Sequence, residues 1–273
     1  MIDWHSVDTV LLDMDGTLLD HDDYRWHAAG PALERLKAAN IPLVLNSSKT
    51  MPEIRALREE LGNNDPFIVE NGAAVVIPPH ALGNAEEEVV NFGATRERVL
   101  EVLGTQRKKG ARFRGFADMS TDELAAQTGL DPAAAGRAKE RLGTEPLIWQ
   151  GSEQELAEFE AALSAEDLRL VAGGRFLHAM GIFDKADGAR FLLNKYKEQY
   201  REQYGDGPVL AIALGDSPND QQMLESADIP VVIRGVKSEE VRLPSAKHAI
   251  RSLEPGPEGW NECVLNLLFE YGY

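Results

Sequence analysis

The segment Val7-Asp-Thr-Val-Leu-Leu12 is a short run rich in Val and Leu that stops at Asp13-Met14-Asp15-Gly16-Thr17. A run of this kind, ending in acids and a turn, reads as a strand buried on both faces of a parallel sheet. Similar runs recur at Ile41–Asn46, Phe67–Val69, Val209–Leu214 and Pro230–Ile233, with helical stretches from Pro31 and over Pro52–Leu61 between the early ones. Strands alternating with helices predict an α/β chain, a doubly wound parallel sheet of Rossmann-like type whose ligands sit at the carboxyl ends of the strands. The acids at 13 and 15 therefore stand where such a sheet places its chemistry.

Between about Glu86 and Gly181 the pattern changes. Helices are expected near Thr95–Lys108, Thr121–Gln127, Pro132–Leu142 and Glu153–Leu163, with short strands at Pro146–Trp149, Leu168–Ala172 and Phe176–Met180. This block reads as an inserted α/β cap domain over 86–180, which makes the core discontinuous, 1–85 with 181–273, and puts the active site in the cleft between the two. Lys237–Gly259, with three prolines, reads as a surface loop, and Gly259–Phe269 as a closing helix.

Residues two apart on an extended chain point the same way, so Asp13 and Asp15 face one cleft. Two carboxylates side by side either share a proton or bind a hard cation through oxygen. A second acidic cluster, Gly215-Asp216-Ser-Pro-Asn219-Asp220, follows the apolar run Val209–Leu214 and opens a helix at Gln221–Ala227. Mg2+ takes oxygen ligands from few protein carboxylates and leaves positions for water and a substrate phosphate. Asp13, Asp216 and one backbone carbonyl would suffice. Ser47-Ser48-Lys49-Thr50, at the end of the strand Leu43–Asn46, and Lys185, just before a helix, can each hold an anion.

Charge and cysteine content narrow the setting. Lys and Arg number 28 against 45 Asp and Glu, a net charge of −17, which is the wrong sign for a surface that binds nucleic acid or anionic lipid. The one cysteine, Cys263, allows neither an intrachain disulfide nor a cysteine-built zinc site and reads as a core thiol. No apolar run approaches the roughly 18–20 residues of a membrane span, and the first residues carry acids where a signal peptide carries a basic flank. A cytoplasmic protein, monomer or homodimer, is expected. An EF-hand fails for want of a bidentate Glu at the required spacing from Asp13, and no Walker loop or His-Glu-x-x-His helix is present.

In this order, Asp-x-Asp-Gly-Thr at 13–17, a strand-end Ser47, Lys185 and Gly-Asp-x-x-x-Asp at 215–220 resemble the haloacid dehalogenase superfamily of phosphotransferases. The resemblance implies Asp13 as the nucleophile that forms an aspartyl-phosphate and Asp15 as the acid and then base. It further implies that Ser47 and Lys185 grip the phosphoryl group. Mg2+ would be held by Asp13, the Asp15 main-chain oxygen and Asp216, supported by Asn219 and Asp220. The block between Ser47 and Lys185 lies where the sugar-phosphatase branch carries its cap.

Asn46–Thr50, Glu70-Asn-Gly72, Arg114–Asp118, Ala138–Arg141 with Glu145-Pro146, and Gly173–His178 look like mannosyl-3-phosphoglycerate phosphatases. A phosphorylated sugar-glycerate substrate is then expected, with a glucosyl analogue or another sugar phosphate as the alternative, and a phosphomutase or non-catalytic module behind it. Ser48, Lys49, Gly174, Arg175 and His178 are the candidate substrate contacts. Arg175, with its planar fork, suits the glycerate carboxylate. Strand alternation puts Arg175 and His178 on opposite faces of a regular strand, so either one of them leaves from the loop or the two do not both contact the substrate. Lys139 and Arg141 read as members of a solvated helix face.

Overall fold

Two sheets organise the chain. The computed structural model describes residues 9–13, 16–21, 24–173, 175–205, 209–246 and 248–270, and the backbone alone for 9–13 and 204. The larger sheet has eight strands: β1 (Thr9–Asp13), β2 (Leu43–Asn46), β3 (Phe67–Val69), β4 (Ala74–Ile77), β5 (Glu88–Asn91), β10 (Ala211–Gly215), β11 (Ile229–Arg234) and β12 (Ile250–Pro255). Their order is β12-β11-β10-β1-β2-β3-β4-β5. Every pair from β12 to β3 is parallel, whereas β3, β4 and β5 pair antiparallel.

Both faces of this sheet are covered, which is why its strands read as continuous apolar runs rather than alternating ones. Leu43, Leu45, Phe67, Val69, Ile212 and Leu214 share one buried cluster with Leu36 of α1 (Gly30–Ala38), Ile54 of α2 (Met51–Leu61) and Trp260 of α9 (Gly256–Glu270). The intervening residues Val44, Ile68, Ala211, Ala213 and Val232 pack on the opposite face against α7 (Lys185–Tyr204) and α8 (Gln221–Ser226). Cys263 lies in the first cluster, and burial pushes its thiol up to about 11, so it is an inert core residue as expected.

The smaller sheet has the order β6-β7-β9-β8 and is wholly antiparallel: β6 (Phe113–Gly115), β7 (Thr144–Trp149), β8 (Leu168–Gly173) and β9 (Phe176–Gly181). Val99 and Leu103 of α3 (Arg96–Lys108) and Phe159 and Leu163 of α6 (Glu153–Ser164) cover one face, against Leu147 and Ala179. Since side chains alternate along a strand, Met180 turns to the other face, where it packs with Ala73 and Phe183 of the larger unit. The helices α4 (Thr121–Thr128) and α5 (Pro132–Lys139) form a small cluster of their own with Phe116 and Met119.

Three expectations need correction. The strand β5 hydrogen-bonds to β4 within the eight-stranded sheet, so that sheet extends beyond the boundary expected at residue 85. Its burial alternates residue by residue, the signature of an edge strand covered on one face. The stretch 237–259 is not all loop: 250–255 forms β12, the parallel edge strand beside β11, and α9 starts at Gly256. Finally, α5 stops at Lys139 rather than Leu142, because Glu140 at φ −82°, ψ 73° has left the helical region.

Trp260 is the largest fully buried side chain, and its indole Nε1 has no hydrogen-bond partner. Trp260→Ala should lower the unfolding free energy by about 3–5 kcal/mol. Trp260→Phe should lose clearly less, because it refills most of the volume and removes the unpaired N–H. Urea denaturation checks this, and equal losses for the two variants would contradict the packing account.

Candidate active site

Sheet register gathers the expected residues before any side chain is considered. Asp13 is level with Asn46, and Leu12 with Leu214, so β1 ends between the start of the Ser47 turn and Gly215. Carboxyl ends of three adjacent parallel strands therefore meet at one edge, where this architecture binds its ligands. Asp15 and Gly174 lie outside the described residues, and of Asp13 the backbone alone is placed.

The turn after β2 leads into α2 through a capping box. The Thr50 hydroxyl accepts from the Glu53 N–H, and the Glu53 carboxylate accepts from the Thr50 N–H at 2.8 Å. Within the turn the Ser47 hydroxyl accepts from the Lys49 N–H at 3.1 Å. Two backbone bonds tie the turn to the next loop: the Asn71 N–H donates to the Ser47 carbonyl and the Glu70 N–H to the Lys49 carbonyl, both at 2.9 Å. The Lys49 ammonium lies 4.7 Å over the Tyr24 ring, a cation–π contact.

Lys185 is the first residue of α7, and its buried ammonium donates to Asp220 Oδ1 at 2.7 Å. Asp220 Oδ2 accepts from the N–H groups of Asp216 and Ser217 at 3.2 and 3.1 Å. Buried charge survives only when paired and fully hydrogen-bonded, and this carboxylate is both. Asn46 Nδ2 donates to the Lys185 carbonyl at 3.1 Å, which fixes the start of α7 against the end of β2. The Asn219 side-chain oxygen accepts from the Ser217 hydroxyl. Asp216 is nearly buried, and a Cβ on Gly16 would stand 2.4 Å from its Oδ2, so the carboxylate presses directly on the turn that follows β1.

No group of three His, Cys, Asp or Glu side chains forms a metal-holding cluster among the described residues. Asp216 against Gly16 nevertheless brings a carboxylate to the backbone of the 13–17 turn. A carboxylate oxygen beside backbone carbonyls is the kind of donor that Mg2+ takes.

The second sheet meets this edge through Glu70. Its fully buried carboxylate accepts from the N–H groups of Leu142 (2.6 Å), Gly143 (3.2 Å) and Thr144 (3.0 Å) and from the Thr144 hydroxyl (2.7 Å). Arg141 lies 3.6 Å from the same carboxylate and donates to the Thr144 hydroxyl and, at 2.8 Å, to the Ser48 carbonyl. The Thr50 hydroxyl donates to the Arg137 carbonyl at 2.9 Å. Arg141 is therefore no solvated helix residue. It lies past the end of α5, is 9% exposed, and ties the second sheet to the Ser47 turn. Lys139 likewise donates inward, to the Met119 carbonyl.

His178 and Arg175 part company. His178, on β9 opposite Pro146 and Val171, is buried on the face that carries Met180 and so faces the larger unit. Arg175 sits at the hairpin between β8 and β9, as the alternation argument allowed for one of the two. Its guanidinium donates to the Thr128 carbonyl at 2.7 Å and lies 5.9 Å from the Phe176 ring.

Residues 10–114 match the family of haloacid dehalogenase-like hydrolases. A glucosyl-3-phosphoglycerate/mannosyl-3-phosphoglycerate phosphatase from Persephonella marina is 37% identical over 270 residues, 96% of this chain and 97% of the relative. The phosphatase of the same description from Methanococcoides burtonii is also 37% identical, over 95% of this chain and 96% of its own. The chain belongs to the haloacid dehalogenase-like hydrolases. It is a phosphatase of that superfamily, and its fold agrees. A haloacid dehalogenase-like hydrolase from Bacteroides thetaiotaomicron superposes with TM-score 0.68 at 20% identity, over 95% of this chain and 99% of that one. A Thermoplasma acidophilum protein does so with TM-score 0.67 at 17% identity, over 98% and 99%.

In this hydrolase Glu70 and Arg141 entered the reading of the sequence only within the segments Glu70-Asn-Gly72 and Ala138–Arg141, with no role assigned to Glu70, and Thr144 did not enter it. The local signal at Glu70 is a lone acid directly after an apolar strand, Phe67–Val69. Glu70→Ala should lower stability by about 3–5 kcal/mol, since it strands a buried guanidinium and several N–H donors. Combining it with Arg141→Ala should cost less than the sum of the two. Denaturation of the single and double variants measures this, and additive losses would show that the two side chains do not act as a unit.

Proposed function

We propose that this phosphatase is Mg2+-dependent and hydrolyses the phosphomonoester of mannosyl-3-phosphoglycerate, with glucosyl-3-phosphoglycerate as the alternative substrate. The observation that carries the reading is the convergence at one sheet edge of the Asp13 strand end, the Ser47 turn, the Lys185–Asp220 pair and Asp216. Near-full-length similarity to two phosphatases described by those substrates supports the choice of ester.

In this reading the Asp13 carboxylate attacks phosphorus in line and forms an aspartyl-phosphate while the sugar-glycerate alkoxide departs. Asp15 protonates that alkoxide and then takes a proton from the water that cleaves the acyl phosphate. Ser47, with the N–H groups of its turn, and the Lys185 ammonium hold the phosphoryl oxygens, and Ser48 and Lys49 lie beside them. Asp220 positions Lys185 through the 2.7 Å bond. Mg2+, held by Asp13, the Asp15 main-chain oxygen and Asp216, with Asn219 and Asp220 behind, would screen the charge of nucleophile and phosphoryl group. The four-stranded unit serves as a cap over this edge, with His178 on its inner face and Arg175 at its hairpin.

Phosphate release from mannosyl- and glucosyl-3-phosphoglycerate, with p-nitrophenyl phosphate as the generic ester, tests the proposal. Turnover should depend on Mg2+, fall to background with a chelator, and vanish in a folded Asp13→Asn variant, whose amide cannot attack phosphorus. Asp15→Asn should lose about 10²–10⁴-fold. Wild-type rates from either variant, or turnover of neither glycosyl ester, would overturn it.

A further inference from the structure

Asn71 is 4% exposed, and neither atom of its side-chain amide, Nδ2 or Oδ1, has a hydrogen-bond partner. Buried side-chain amides are nearly always paired, so an amide with both ends open marks a place where a partner is still to arrive. The position of Asn71 says what region that partner occupies. Its own N–H holds the Ser47 carbonyl. The preceding residue, Glu70, carries residues 142–144 of the second sheet. The following residue, Gly72 at φ +99°, lies so close to α7 that a Cβ there would stand 2.0 Å from the Asp184 carbonyl and 3.2 Å from the Lys185 nitrogen. Asn71 is thus placed between the two groups read as phosphoryl holders and the docked edge of the cap.

The donor and acceptor count decides the ligand class. A phosphoryl or carboxylate oxygen accepts only, so it would satisfy Nδ2 and leave Oδ1 stranded in a buried site. A cation would take Oδ1 and leave Nδ2 unmatched. A hydroxyl both donates and accepts, as a water molecule does, and a pair of neighbouring hydroxyls satisfies both ends of an amide at once, so among the groups a phosphate ester carries the hydroxyl is the one that fits. The backbone points the same way. Asn71 holds φ 60°, ψ 29°, with Glu70 before it also at positive φ. Glycine would fill such a position with less strain, and the amide present makes no side-chain hydrogen bond among the described residues in exchange.

We propose that the Asn71 amide binds a hydroxyl group, or a vicinal pair, on the sugar-bearing leaving group of the substrate. It is a specificity residue for polyhydroxylated phosphate esters, set beside the phosphoryl site rather than within it. The assignment rests on the phosphatase reading above and deepens it.

The test compares wild type, Asn71→Gly and Asn71→Asp with Mg2+ present. The substrates are the two glycosyl-3-phosphoglycerates, a set of hexose and pentose phosphates, and p-nitrophenyl phosphate, whose leaving group carries no sugar hydroxyl. Asn71→Gly should lose roughly 10–100-fold in kcat/KM on whichever hydroxylated ester the wild type prefers, chiefly through KM, because an unmatched polar group at a reading site discriminates strongly. On p-nitrophenyl phosphate it should stay within about twofold, the scale of a contact the substrate never makes. Its melting temperature should hold or rise, since glycine relieves the positive φ. Asn71→Asp keeps the shape and loses the N–H donor, and should show the same selective loss.

An equal loss on all esters, or a selective loss accompanied by a lowered melting temperature in both variants, would overturn the assignment. Wild type that cleaves another sugar phosphate but neither glycosyl-3-phosphoglycerate would defeat the substrate reading while leaving Asn71 to be judged on that sugar phosphate. Wild type active on p-nitrophenyl phosphate alone would defeat both.

Discussion

A carboxylate shut away from water must be surrounded by donors, and Glu70 finds them in Thr144, the first residue of β7, and the segment leading into it. Three consecutive N–H groups and one hydroxyl, from 142 to 144, together with the Arg141 guanidinium, converge on its two oxygens. None of these can be withdrawn singly without leaving charge in a low-dielectric interior. The Ser47 turn, the 70–72 loop and the start of β7 consequently behave as one body. Glu70, Asn71 and Gly72 all hold positive φ, a costly sequence of conformations for two non-glycine residues that persists only where the surroundings over-determine it.

The other fixed quantity is the carboxyl edge of the parallel sheet. Along β2 and β10 the polar residues wait until the strand ends, because both faces of those strands are covered by helices. Acids and amides then crowd together within one register step, and each of the described ones is handled differently. Asp220 is neutralised by Lys185 and two N–H groups, Asp216 is held against a glycine turn, and Asn46 is engaged with the Lys185 carbonyl and the Met223 sulfur. A chain with a net charge of −17 can hold this many acids together because the pairing is local.

What was legible from the sequence were features repeated over short distances: apolar runs and the spacing of acids around glycine. Val209–Leu214 and Phe67–Val69 announced strands, and the helices expected from Pro132 and from Glu153 start at those residues. The strand β12 escaped because Arg251, Glu254 and Pro255 break any apolar pattern in an edge strand exposed along most of its length. The hairpin of β4 and β5 escaped because 88–91 is half polar. Arg141 was misread for a different reason. Its burial depends on Glu70 and Ser48, far away in sequence, and no local periodicity encodes a partner that arrives through tertiary packing.

The position of β1 has a consequence for how the molecule is made. It lies inside the sheet, with β2 on one side and β10 on the other, and Thr9 pairs with Ala211. A chain emerging from the ribosome completes β2, β3, β4, β5 and the whole four-stranded sheet before the residues that cover the other edge of β1 exist. Until then a parallel strand edge stands open, an invitation to pair with the wrong chain. Closing it requires a very long loop to be drawn shut, which makes the sheet a slow, late-forming structure. The carboxyl edge that brings the end of β1 beside Asp216 therefore forms only after every residue of the second sheet has been synthesised.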